Sequence, residues 1–381
     1  MTPSSRSSRA ARIRRYASGV ALAALLACAG GAVMSAAYAD DGPTPASASA
    51  IPDQTVRDGA AFAKGYTPPR TSWGKPNLEG NWSNATVSRM DRPNGYPLII
   101  NAEQAAKLEG GALINVRNSQ KDASFVDPNA PPPEKGKPLP GVGNYDVAYT
   151  DPGTKVTNIK GELRSSWITW PADGKIPAMT ENGKMLRKAA GGGRRGTGYD
   201  NPEERGLSER CIIIGNAGPP LGTYLYNNNF QIVQTPDYVV LESEMIHDVR
   251  TIHINGKLGP DNGVEPYHGD SVAHWDGDTL VVETTHMNPA QRAGRVFLSK
   301  DGKVIERLTR ISDTQILYEF EIDDPAVYTS VWKGQMALTK LNTPLYEYAC
   351  QEGNYALPGI LSGGRSDDRK GQPHIGGARG E

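Results

Sequence analysis

A hairpin repeat governs what this chain can become. Between about 211 and 357, β-rich runs recur at short intervals: 231–233, 238–254, 269–275, 279–286, 304–311, 314–322, 336–341 and 345–351. Two pairs of runs are separated by two-residue turn candidates, Asp276-Gly277 and Ser312-Asp313. Such spacing predicts a mainly β chain, an antiparallel meander that closes as a barrel or packs as a sandwich. The preceding half, 61–205, is loop-rich, with short helices expected at 101–108 and 180–189. It reads as a region wrapped over the β domain at 206–358. Asp127 to Gly141 is proline-rich, 191–198 is glycine-rich, and the polar tail 359–381 reads as disordered.

Composition narrows the function classes. With 38% hydrophobic and 22% charged residues the chain can bury a core. A formal charge of −1 gives no broad basic field and argues against nucleic acid as a partner. The N-terminus reads as an export signal: Arg6, Arg9, Arg12, Arg14 and Arg15 precede an uncharged apolar stretch. Ala37-Tyr38-Ala39 then supplies a small-residue cleavage site. Cleavage after Ala39 gives a periplasmic or secreted protein with no stable membrane insertion, a flexible lead-in at 40–60, and Cys211 and Cys350 as its cysteines. In an oxidising compartment those two are expected to form a disulfide.

The turn at Asp276-Gly277 has chemical consequences. If those two residues form the loop, Trp275 faces Asp278, His274 faces Thr279, and further out Asp270 lies opposite Glu283. Opposed carboxylates are unfavourable unless a cation, a metal or a shared proton compensates. In a continuous strand over 238–254, His247 shares a face with Val239, Leu241, Ser243 and Met245. Burial there would keep its imidazole neutral and fit to act as a base, although a satisfied core histidine fits the same pattern.

Other patterns carry less. Every histidine except His374 lies between His247 and His286, yet His247/His253 and His268/His274 are six apart, about 20 Å along a strand. No zinc spacing occurs, and no metal or cofactor is assigned. Gly191, Gly193 and Gly196 fit GxGxxG without the strand before and helix after that a dinucleotide site needs. The 16 Tyr against 5 Phe suit a flat, partly polar ligand, but tyrosine also favours strands for structural reasons alone.

Several long runs resemble a large family of secreted bacterial proteins with no settled activity. They are Glu209-Arg210-Cys211, YNNNFQIVQTPDYVVLESEMIHDVRTI (226–252), GDSVAHWDGDTLVVETTHM (269–287), ERLTRISDTQILYEFEIDDP (306–325) and PLYEYACQEGNYAL (344–357), with LEGNWSN (78–84) nearer the start. The resemblance implies that His247, Asp248, Asp270, Glu347 and Cys350 lie in shared blocks, and that His253, His268 and His274 are less typical.

The expected function is a cofactor-independent lyase, dehydratase or isomerase of aromatic or terpenoid catabolism, working by side-chain acid/base chemistry on a small hydrophobic alcohol in a barrel pocket. His247 is the base, and Asp270 or Glu283 the acid. Arg250, Arg310, Tyr318 and Trp275 are candidate substrate contacts. The alternatives are a lipocalin-like binding protein without turnover and a metal-dependent hydrolase or oxygenase. Self-association into a homo-oligomer is compatible with the chain.

Overall fold

A closed ring of nine strands cannot alternate direction all the way round, so at least one neighbouring pair must be parallel. That parity decides the topology. The computed structural model describes residues 65–122, 153–190, 198–224, 226–258, 264–291 and 296–371. Along them run β1 (Gly80–Ser83), β2 (Ile99–Ile100), α1 (Ala102–Asp122), β3 (Thr157–Ile159), β4 (Glu162–Arg164), β5 (Ile168–Trp170) and α2 (Glu181–Ala189). Then follow β6 (Asn229–Gln234), β7 (Tyr238–Ser243), β8 (Val249–Ile254), β9 (Asp270–Asp276), β10 (Thr279–Thr285), β11 (Lys303–Arg310), β12 (Gln315–Asp323), β13 (Trp332–Leu341) and α3 (Ala356–Lys370).

Strands β6 to β13 pair in sequence order, and β1 closes the ring between β6 and β13. Every pair in the ring is antiparallel except β8 with β9, where Ile252 faces Ser271 and Ile254 faces Ala273. A parallel neighbour needs a long return. Fifteen residues separate Ile254 from Asp270, enough for such a return. Strand β5 pairs with β13 at Lys333 and Gly334, along the part of that edge β1 does not cover. A separate small sheet, β2-β4-β3, packs with the start of α1 through Ile100, Ala105 and Val156.

Alternation fills the barrel. Strands β6, β10 and β11 bury every second residue, and Trp82, Phe230, Ile232, Leu280, Val282, Val304, Tyr318, Phe320, Met336 and Leu338 form one core. Residues 65–190 are therefore not merely a wrapping. They supply β1 and its fully buried Trp82, and the described residues all belong to one compact unit.

The two ends of the barrel are closed differently. At one end, turns of the meander meet the segment 66–79. There Arg70 Nη2 contacts Asp278 Oδ1 at 2.6 Å, Tyr66 Oη donates to Asp313 Oδ1 at 3.0 Å, and Arg310 Nη1 donates to Asn77 O at 2.8 Å. We call this the capped end. At the other, the loop 215–222 inserts, with Ala217 and Leu221 wholly buried. This is the plugged end.

Three expectations are corrected. The run 238–254 is two strands broken by a one-turn 3-10 helix, Met245–His247. The run 345–351 is not a strand. Residues 359–370, expected to be disordered, belong to α3, which docks through Leu361 and through Gly364 against Tyr199 and ends at Gly371 with φ 63°. Its glycines lower helix propensity, and tertiary packing outweighs them. The export signal, the lead-in, the proline-rich 127–141, the glycine-rich 191–197 and the tail 372–381 lie outside the described residues. No helix among the described residues is long and apolar enough to cross a membrane.

Candidate functional site

The hairpin register differs from the expected one by a single turn residue. Gly277 takes φ 57° and, with Asp278, forms the loop, so Asp276 pairs with Thr279. Each residue then faces one two positions further along: Asp270 lies opposite Thr285, and Glu283 opposite Val272. Side-chain parity is unchanged, but the face carrying both acids points outward. Glu283 sits 3.6 Å from Lys303, and Asp270 Oδ2 lies 3.4 Å from His286 Nδ1. The two acids do not confront each other.

His247 is likewise exposed rather than on a buried stripe. The break before β8 explains this. Ile246 and His247 adopt φ 58° and 46°, and the strand resumes with its faces exchanged. Val249 therefore turns outward and Arg250 inward. His247, Asp270 and Glu283 do not form one site.

Arg250 instead enters a buried polar network. Its Nη2 contacts Glu306 Oε2 at 2.5 Å, with side-chain exposures of 2% and 3%. Tyr318 donates to Glu306 Oε1 at 2.6 Å and accepts from the Leu221 N–H at 2.9 Å, tying the network to the plug. Burial pulls the guanidinium down, but the Glu306 charge and hydrogen bonds outweigh this and leave it above its ordinary value. Burial and the Glu306 carboxylate push the Tyr318 hydroxyl well up. Ser271 and Thr284 complete the network, 2.9 Å apart. Arg250 and Tyr318, expected to touch substrate, here hold the plug. Arg310 braces the capped end, over Trp82 at 5.6 Å, and Trp275 packs against the core.

Beside the plug, His268 Nδ1 lies 2.9 Å from Gly218 O, which also accepts from Gln291 Nε2 at 2.9 Å. His268 Nε2 is 3.9 Å from Asp248 Oδ1, and Asp248 Oδ2 is buried without a partner. Two glycines make this approach possible. Gly269 has φ 67° and a Cβ there would meet Thr285 O at 2.4 Å, while Gly218 has φ 80° and a Cβ would meet Pro220 C at 2.6 Å.

The outer wall of the plugged end is aromatic. Cys211 and Cys350 are disulfide-bonded, as expected, at a sequence separation of 139. Gln351 Nε2 donates to Arg210 O at 3.1 Å and Asn354 Nδ2 to Glu209 O at 2.8 Å, fastening the C-terminal segment to the 209–211 stretch. An open cleft of about 500 Å³ lies between the disulfide and α3, lined among others by Cys211, Glu347, Tyr348, Leu357 and Ile360. The rings of Tyr226 and Tyr348 are nearly parallel, at 7°, with centroids 6.5 Å apart, and Tyr224 meets Tyr226 edge-on at 5.4 Å. Buried Glu244 sets this wall: it accepts from Asn227 Nδ2, Asn229 Nδ2 and the Tyr346 N–H at 2.8, 3.0 and 2.9 Å.

No family model matches the chain, and no curated protein or solved structure matches it. The fold and the site therefore stand on their own geometry. Among the described residues no three His, Cys, Asp or Glu side chains gather to hold a metal. The protein is a β-barrel that could hold a ligand. Sequence reasoning counted the tyrosines but set His268 aside and left Glu306 unmarked. The long β-rich runs gave no sign that Glu306 would meet Arg250 across 56 residues.

Proposed function

We propose that this is an exported binding protein for a small, flat, partly polar hydrophobic molecule of the phenol or fused-ring alcohol class. The ligand is held in the cleft against Tyr348, whose ring is backed by Tyr226. The observation that carries this reading is the parallel tyrosine pair beside the cleft. Tyr348 lines the cleft, and its ring lies nearly parallel to that of Tyr226, at 7° with centroids 6.5 Å apart, so the cleft presents a flat aromatic face to a planar ligand. A cleft of about 500 Å³ falls in the range of small-molecule sites, and tyrosine offers a ring face with a polar tip. The disulfide supports an extracytoplasmic location, with the signal removed after Ala39. The runs YNNNF, EMIHD and YEYACQ, which carry the family resemblance, meet at this wall.

Calorimetric titration of the full chain with phenol, 2-naphthol and menthol tests the reading. Saturable binding of 2-naphthol, weakened roughly tenfold in Tyr348→Ala, is expected from loss of one stacked face. Absence of saturation with every compound, or equal affinity in the variant, would overturn it.

A further inference from the structure

His268 and Asp248 form a second arrangement at the plugged end, separate from the tyrosine cleft, and its hydrogen-bond bookkeeping does not close. Gly218 O can only accept, so the hydrogen in its contact with His268 must sit on Nδ1. In the neutral ring Nε2 is then an acceptor, and it faces an Asp248 carboxylate oxygen at 3.9 Å, an acceptor as well. That separation is too long for a direct hydrogen bond. Asp248 Oδ2 has no partner either, on a side chain only 11% exposed. Buried carboxylates are ordinarily paired, because desolvating an isolated charge is costly. Arg250, two residues along the chain, is committed to Glu306 at 2.5 Å.

The backbone around this gap is held in uncommon conformations. Ile246 at φ 58° is a β-branched residue in the left-handed region, where such side chains are genuine outliers. His247 follows at φ 46° and leads directly into Asp248. Strain of this kind persists where surrounding structure fixes a functional geometry.

We propose that His268 and Asp248 form a binding site for a primary ammonium group. Two acceptors and a negative charge call for a donor that carries more than one hydrogen on a single atom and is itself positive. An R–NH3+ group can give one hydrogen to His268 Nε2 and one or two to the Asp248 carboxylate. An alcohol has a single hydrogen to give, and a quaternary ammonium has none.

The test uses histidine ring 15N NMR on the full-length protein, with benzylamine, benzyl alcohol and benzyltrimethylammonium as probes. Benzylamine should bind saturably and shift His268 Nε2, while the other two should leave it unmoved. Asp248→Asn should weaken benzylamine binding roughly tenfold or more, as expected for loss of a charge-assisted bond. The wild-type comparison of the three probes stands even if the variant folds poorly. A doubly protonated His268 in the free protein would overturn the proposal, since the ring would then answer the carboxylate itself. Equal shifts with benzyl alcohol, or a site that keeps water against all three probes, would overturn it too. Because binding is read at His268, failure here leaves the Tyr348 cleft untouched.

Discussion

The two ends of the barrel each carry an arginine–carboxylate pair at nearly the same distance, and the pairs do opposite work. At the capped end, Arg70 and Asp278 meet at 2.6 Å with both side chains 42% exposed. At the plugged end, Arg250 and Glu306 meet at 2.5 Å with 2% and 3% exposure. In water the first is one contact among solvated charges and contributes little. Stripped of water, the second is held only while both partners and Tyr318 remain. The capped end spends its polar groups on closing turns. The plugged end gathers buried charge, an orphaned carboxylate oxygen and left-handed residues around a loop that fills the barrel mouth.

If that contrast is right, substitutions should separate the ends. The largest effect is expected for Cys211→Ser with Cys350→Ser: releasing a 139-residue loop should cost about 4–5 kcal/mol by the chain-entropy account, read by denaturant unfolding. It should also open the cleft and abolish 2-naphthol binding. Next comes Glu306→Leu, which leaves the Arg250 guanidinium buried and unpaired and should cost about 3–5 kcal/mol. An unchanged midpoint would show that the network does not hold the plug.

Alkaline unfolding sharpens the same point. Burial pushes the Tyr328 hydroxyl up to about 12, against the opposing hydrogen bond from the Phe297 N–H and with help from the Asp324 charge. The folded state therefore keeps this proton longer than the unfolded chain. Its contribution is complete below pH 10 and is lost as pH rises through about 12. Stability should fall by about 2–3 kcal/mol over that window from this group, and Tyr328→Phe should flatten the slope. The smallest effect belongs to Arg70→Ala, about 0–1 kcal/mol, with ligand binding unchanged. A loss as large as that of Glu306→Leu would erase the distinction between the ends.

Much of the barrel was legible in the chain because strand alternation and turn residues are local. Strands β6 and β9 to β13 follow from such signals, and the Cys211–Cys350 pairing from the export signal and the cysteine count. The site was less legible, for identifiable reasons. A two-residue loop at Gly277-Asp278 rather than Asp276-Gly277 preserves which side chains share a face but changes who stands opposite whom, and that dissolved the Asp270–Glu283 pair. The left-handed turn at Ile246 and His247 exchanged the faces of β8, sending Arg250 inward and leaving His247 in solvent. Membership of β1 in the ring depends on contacts of Trp82 with strands far along the chain. Tyr226 and Tyr348 meet only because Glu244 and the disulfide hold two distant segments side by side.

The most direct test of the central claim is amide chemical-shift mapping of the full chain titrated with 2-naphthol. The account predicts saturable shifts clustered at Tyr226, Tyr348 and Leu357, with Arg70, Asp278 and Asp313 unmoved. Shifts centred on the capped end, or none at either end, would contradict it.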